Sequence, residues 1–194
     1  MSETKLIAKP ALYGAKAAAA NNTSVEIVDT WTMALVAERK GQGAALNSKV
    51  QELFGLELPG AGRVSASSGI TAVWAGPGQW LLIASSANGR DLERDLRGPL
   101  DGIAAVADQS DSRAVVKVSG PKAREALAKG IPIDLHPKVF KAGDAAITHA
   151  SHIGVTLWRP LDGDEFVITC ATSYAGSFWH WLSESCQSTG MTVR

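Results

Sequence analysis

The stretch Ile70-Thr-Ala-Val-Trp-Ala-Gly-Pro-Gly-Gln-Trp-Leu-Leu-Ile-Ala84 decides the fold class. Apolar runs flank Gly76-Pro77-Gly78, whose glycines supply the backbone angles of a tight reversal. Two strands joined so closely are antiparallel neighbours, whereas a doubly wound parallel sheet needs a helix between them.

Working outward, the upstream residues Val25 and Ile27 alternate with polar neighbours and Trp31 to Ala37 is an apolar run, predicting one or two strands. Gly41 to Phe54 changes to a helical period, with Leu46, Val50 and Leu53 on one face and Gly55 placed to end the helix in a left-handed turn. Downstream, a short helix carries Leu92 and Leu96, with Asn88 as its expected cap and Gly98-Pro99 as its stop. A strand over about 104–109 leads through Ser110-Asp111 into Arg113 to Val118. In that second strand Ala114, Val116 and Val118 share one face and Arg113, Val115 and Lys117 the other. Pro121 opens a helix that runs to Gly130, and 131–144 is a loop rich in proline and glycine. Ala145 to Trp158 reads as one long strand, Leu161-Asp162-Gly163 as its turn, Glu165 to Cys170 as its partner and Ser173 to Cys186 as a helix.

The element order is thus strand, helix, hairpin, helix from Trp31 to Leu96, and again from Arg113 to Cys186. An α+β class follows, with residues 25–194 as a single domain of two similar halves (about 25–103 and 104–190) packed together, since each half alone is small for a core. Residues 1–24 lack a clear period and are expected to form an extended arm of the kind that lies on a partner.

Lysine plus arginine equals aspartate plus glutamate at 19 each, so the chain has no net charge. No positive field exists to attract nucleic acid or an anionic membrane, and neutrality suits a chain held in an assembly. Cys170 and Cys186 form no CxxC pattern, and no apolar run is long enough for a secretion signal or a membrane span; a cytoplasmic protein is expected.

Catalytic motifs are scarce. Gly41-Gln-Gly43 lacks the third glycine of a dinucleotide fingerprint, and neither a phosphate-binding loop nor a GxSxG elbow is present. Asp108 and Asp111 border a turn and read as a solvated loop, and His136 lacks a positioned carboxylate or nucleophile. Strand alternation would point His149 and His152 to opposite faces, which leaves no His-x-x-His metal pair, and Gly154 marks a bulge or a close backbone approach. At 100° per residue, Tyr174, Phe178 and Leu182 fall at the centre of the last helix's apolar arc and Trp179 and Trp181 at its two borders, with His180 on the polar side. No catalytic, cofactor-binding or metal residue is assigned; the candidate interface residues are Trp158, Trp179, Trp181, His152 and His180.

Several motifs occur together and in order: Trp74-Ala-Gly-Pro-Gly-Gln-Trp-Leu-Leu82, Asp108-Gln-Ser-Asp-Ser-Arg-Ala-Val-Val-Lys-Val-Ser-Gly-Pro121, Ile133-Asp-Leu-His-Pro137, His152-Ile-Gly-Val-Thr-Leu-Trp-Arg-Pro160 and Ser177-Phe-Trp-His-Trp-Leu182. In them the chain resembles the gamma subunits of heterotetrameric sarcosine oxidase, over about 31–182. The resemblance implies a fold like that of the glycine cleavage T-protein and an assembly with alpha, beta and delta chains. It places FAD, FMN, NAD and the tetrahydrofolate site in the large alpha and beta chains and zinc in delta. The implied reaction of the complex is oxidative demethylation of sarcosine. A non-catalytic structural subunit is the expected role. The alternative is a folate- or flavin-binding module stacking its ring on Trp80 or Trp158; it ranks second because a pterin needs a placed carboxylate and none is singled out.

Overall fold

The computed structural model describes residues 9–12, 15, 18–19 and 22–189. Its strands are β1 (Ala18–Ala19), β2 (Ser24–Val28), β3 (Trp31–Glu38), β4 (Val64–Ser67), β5 (Ile70–Gly76), β6 (Gln79–Ser85), β7 (Ala104–Asp108), β8 (Arg113–Ser119), β9 (Ala145–Ala150), β10 (Ile153–Trp158) and β11 (Phe166–Ala171). The helices are α1 (Gly43–Phe54), α2 (Leu92–Arg97), α3 (Ala123–Leu127) and α4 (Ala175–Gln187). The strands form a six-stranded sheet in the order β1-β2-β8-β11-β10-β9 and a five-stranded sheet in the order β4-β5-β6-β3-β7. Each pairing is antiparallel, as the Ile70 to Ala84 hairpin predicts.

Three apolar clusters place the layers. Val116, Val118, Ile168 and Leu157 of the six-stranded sheet meet Ala126 and Leu127 of α3 and Phe178 and Leu182 of α4. Ala34, Val36 and Leu82 of the five-stranded sheet meet Leu46 and Val50 of α1 and Leu92 and Leu96 of α2. Between the sheets, Met33, Val73, Leu81 and Ile83 face Val115, Trp158 and Val167. The architecture is therefore helix, sheet, sheet, helix, and the central strands are covered on both faces. Each large side chain withdrawn from water in these clusters contributes roughly 1.5–3 kcal/mol.

Sheet membership crosses the 103/104 boundary between the halves. β2 pairs with β8 of the later half, from Ser24↔Ser119 to Val28↔Val115, and β7 pairs with β3 of the earlier one. The chain passes between sheets at Asp29–Thr30 and again at Gln109–Ser112. The two crossings are tied together, since Gln109 N–H donates to the Met33 carbonyl (2.8 Å) and Met33 N–H to Ser110 Oγ (3.0 Å). The sheets meet at one further corner, where Val64 N–H donates to the Gly143 carbonyl, Ala145 N–H to that of Gly62, and Arg63 pairs with Asp144.

Several local expectations change. Ala145 to Trp158 is not one strand but the hairpin β9–β10, reversing at Ser151-His152 with Ile153↔Ala150 as its first pair. Ser151 carries φ 57° there, a conformation unfavourable for serine, and its N–H donates to the Gly130 carbonyl in the turn that follows α3 (2.8 Å). That tertiary bond holds a reversal for which the local sequence offers no glycine. α2 is capped by Asp91, which accepts from Arg94 N–H, rather than by Asn88. α3 ends at Leu127, short of Gly130, and Leu53 of α1 is 36% exposed rather than buried with Leu46 and Val50. Of the expected arm, residues 1–8, 13–14, 16–17 and 20–21 lie outside the described residues; Leu12 is buried in the helix-side core and Ala18–Ala19 pairs with β2.

Candidate functional site

α4 begins at Ala175 and buries Phe178 and Leu182 completely, so the helical period places the expected face on the sheet. Tyr174 departs from the expectation. It ends a 3-10 turn over Thr172–Tyr174, outside the helix whose phase would have buried it, and is 56% exposed. Trp179 and Trp181 flank the buried row, each half-buried against the core, and His180 is exposed between them. The Trp181 indole lies 5.9 Å from the Phe178 ring and flat space for it is left by Gly130, where an added Cβ would stand 2.5 Å from Trp181 Nε1.

Gly130 joins two of the candidate interface residues. Its Cα side carries Trp181, and its carbonyl holds the Ser151-His152 turn, on which His152 is exposed. The fold thus brings Trp181 and the turn of His152 together at Gly130, while Trp179 lies across the buried row of α4 and His180 is exposed between the two indoles. Trp158 is not on this surface: it is 2% exposed, between the sheets, with its ring 6.4 Å from that of Trp31. Alternation along the expected strand places Trp158 on a face with Thr148 and Thr156, and only the second sheet closes over it.

Two clefts open along the seam of the sheets. The first, about 300 Å3, lies at the crossings and is lined by Leu12, Ile27, Asp29, Met33, Asp111 and Arg113 among others. Asp108 organises this loop, accepting from Ser110 N–H (3.0 Å) and Ser110 Oγ–H (2.6 Å), which is a turn-forming role and not half of an acid–base pair. Arg113 is half-buried and donates from Nε to Gln109 Oε1 (3.3 Å); burial holds its guanidinium below the ordinary pKa, partly offset by Cys170. The second cleft, about 270 Å3, is lined by Trp31, Ile83, Lys117, Trp158, Asp162 and Glu165 among others. Lys117 Nζ stands 5.5 Å over the Trp31 ring and 3.4 Å from Glu26. Arg113 and Lys117 were visible as one strand face, yet nothing in the sequence marked them as cleft residues.

Other candidates resolve into structure. His136 is exposed, its Nδ1 accepting from Lys138 N–H (3.2 Å) while Asp134 accepts from His136 N–H (2.8 Å). The Glu38 carboxylate lies 2.6 Å from where a Cβ of Gly43 would be, occupying the start of α1 where a nucleotide phosphate would sit. Trp80 donates from Nε1 to the Pro59 carbonyl (2.8 Å) and packs on the α1 and α2 side, away from both clefts. Cys170 and Cys186 are free, buried thiols, each pushed up to about 11 by burial. Among the described residues no group of three or more His, Cys, Asp or Glu is placed to hold a metal ion, and no helix is long and apolar enough to cross a membrane.

Comparison with known proteins agrees with this architecture along nearly the whole chain. Sarcosine oxidase subunit gamma of Corynebacterium sp. (strain P-1) is 31% identical over 190 residues, covering 95% of this chain and 92% of that protein. The subunit gamma of Corynebacterium sp. (strain U-96) is 33% identical over 146 residues, 74% of this chain and 70% of that one. In solved structures, a chain of the heterotetrameric sarcosine oxidase from Corynebacterium sp. U-96, in complex with pyrrole 2-carboxylate, superposes with a TM-score of 0.76 at 29% identity over 89% of this chain and 88% of that chain. The glycine cleavage system aminomethyltransferase T from Bartonella henselae shares the fold, with a TM-score of 0.61 at 15% identity over 83% of this chain and 45% of that chain. The α+β fold is therefore T-protein-like. A family model matches residues 40–188, from the start of α1 to the end of α4, and the chain belongs to the sarcosine oxidase gamma subunit family.

Proposed function

We propose that this chain is the gamma subunit of a heterotetrameric sarcosine oxidase, a structural subunit that holds alpha, beta and delta chains in their working arrangement and has no active site of its own. The observation that carries the reading is end-to-end similarity: 31% identity over 95% of the chain. In the proposed complex sarcosine is oxidatively demethylated to glycine. Water releases the oxidised methyl carbon as formaldehyde, or that carbon passes to tetrahydrofolate as its methylene derivative, and oxygen takes up the two electrons as hydrogen peroxide. FAD, FMN, NAD, zinc and tetrahydrofolate are assigned to the other chains, and the assembly to the cytoplasm.

The contact with a partner is assigned to Trp179, Trp181, His180 and His152. Half-covered indoles beside a polar rim match the composition of interface anchors. Trp158 belongs to the intersheet core instead. The alternative, a folate- or flavin-binding module, has less support. Trp158 offers almost no ring surface and the Trp80 indole is turned to the helical side.

Co-expression of a tagged chain with alpha, beta and delta tests the proposal. The expected result is one co-purifying species with flavin absorbance and sarcosine-dependent peroxide production, which the Trp179→Ala and Trp181→Ala double variant disperses on size exclusion. Full assembly and activity of the other three chains without this one would refute a structural role. Micromolar binding of folate or flavin by the chain alone would replace it with the alternative.

A further inference from the structure

The cleft at the two sheet crossings carries charges of both signs that do not satisfy one another. Arg113, half-buried, has no carboxylate within the 4.0 Å of an ion pair among the described residues, and its hydrogen-bond acceptor is the neutral Gln109 Oε1. Asp29 and Asp111 line the same cleft, and neither side chain makes an ion pair or hydrogen bond among the described residues. Lys9, also lining it, is already engaged. Leu12, Ile27, Met33 and Val115 supply an apolar wall. The volume, about 300 Å3, falls at the lower end of small-molecule sites.

A cation removed from water without a partner is costly, and burial depresses the guanidinium's pKa as that cost predicts. A carboxylate answers its planar fork with two parallel hydrogen bonds. A simple acid, however, would bring its negative charge beside Asp29 and Asp111. A molecule with both charges avoids this repulsion and gives the acidic side chains a cation to hold.

We propose that this cleft binds a small zwitterionic amino acid with an apolar side chain: its carboxylate on Arg113, its ammonium on Asp29 or Asp111, and its side chain against Leu12, Ile27 and Met33. Every residue named in the site belongs to this chain, so titration of the chain alone tests it separately from the subunit role.

The test is calorimetric titration of the full chain, and of the assembled complex, with L-leucine, L-leucinamide and 4-methylpentanoate. Leucine is expected to bind one site per chain. The amide, lacking the carboxylate, and the acid, lacking the ammonium, are each expected to bind roughly tenfold or more weaker, the scale of one lost charge-assisted contact. Arg113→Gln, which keeps a hydrogen-bonding side chain, is expected to weaken leucine by the same factor, and Arg113→Lys by less. In the complex, Arg113→Gln removes one site from the stoichiometry and leaves any site on another subunit untouched. Absence of saturable leucine binding, equal affinity for all three probes, or a Kd unmoved by Arg113→Gln would overturn the proposal. The probe series uses the unaltered chain, so its outcome does not depend on the variant folding.

Discussion

Replacing Gly130 by alanine tests whether the Trp181 indole is seated as described and whether that seat matters for assembly. The added methyl would lie 2.5 Å from Nε1, 2.7 Å from Cε2 and 2.8 Å from Cζ2 of Trp181. Ordinary carbon contacts begin near 3.5 Å, so the indole must move by about 1 Å. Overpacking of this kind costs ~1–3 kcal/mol, and the smaller conformational freedom of an unfolded alanine returns ~0.5 kcal/mol. A net loss of ~1–2 kcal/mol is expected, a fall of about 2–8 °C in Tm for a domain of this size. A double-mutant cycle isolates the contact: with Trp181 already replaced by alanine, Gly130→Ala should be neutral or slightly stabilising, giving a coupling of ~1–2 kcal/mol. Equilibrium denaturation of the four proteins measures it. Additive penalties, within about 0.5 kcal/mol, would show that the indole does not rest on Gly130. Size exclusion of Gly130→Ala with its partners reads the second half of the argument, because an indole displaced from its seat should also weaken assembly.

Three further outcomes follow from the same packing. The thiols of Cys170 and Cys186 rise from 9.0 to about 11 on folding, so above pH 9 the unfolded chain releases protons that the folded one retains; stability should fall through pH 9–11 by ~1.4 kcal/mol per thiol per unit, and Cys186→Ala should halve the slope of Tm against pH. Ser151→Gly relieves the φ of 57° and should be neutral or stabilising by up to ~1 kcal/mol in thermal melts, whereas a glycine placed inside one continuous strand would destabilise. Trp158→Ala empties the space between the sheets and should cost ~3–5 kcal/mol while the domain still melts in a single transition; Trp179→Ala should cost less in stability and more in complex recovery.

Elements with a strong period and their own stop signals were legible in the sequence. α1 ends at Gly55 with φ 61°, and β5 and β6 turn at Pro77-Gly78 as Ile70 to Ala84 implies. The misreadings fall where a distant contact decides. Ala145 to Trp158 has no glycine at its reversal, and the N–H that pins Ser151 donates to a carbonyl 21 positions earlier at Gly130. Tyr174 fits a helical wheel drawn from Ser173, but the helix begins at Ala175, one residue after it. Of the interface candidates, Trp158 shares a face of the expected strand with Thr148 and Thr156, a pattern that does not reveal the second sheet covering it.

β8 shows why both clefts escaped notice. Its residues Arg113, Val115 and Lys117 point to one side, opposite Ala114, Val116 and Val118, and taken alone that mixture describes a strand with one face in water. The second sheet covers that side instead, with Val115 buried in the intersheet cluster. Arg113 and Lys117, two residues away in each direction, then fall at its opposite ends, one in each cleft. Trp31 walls both clefts and meets the Lys117 ammonium across its ring face. Cations spaced by four along a strand are therefore what a central strand needs when its second face is buried only in the middle. The same spacing on an outer strand would be ordinary solvation. Only the crossing of the chain at Asp29–Thr30, which takes β2 to one sheet and β3 to the other, makes β8 central and turns its two charged side chains toward enclosed space.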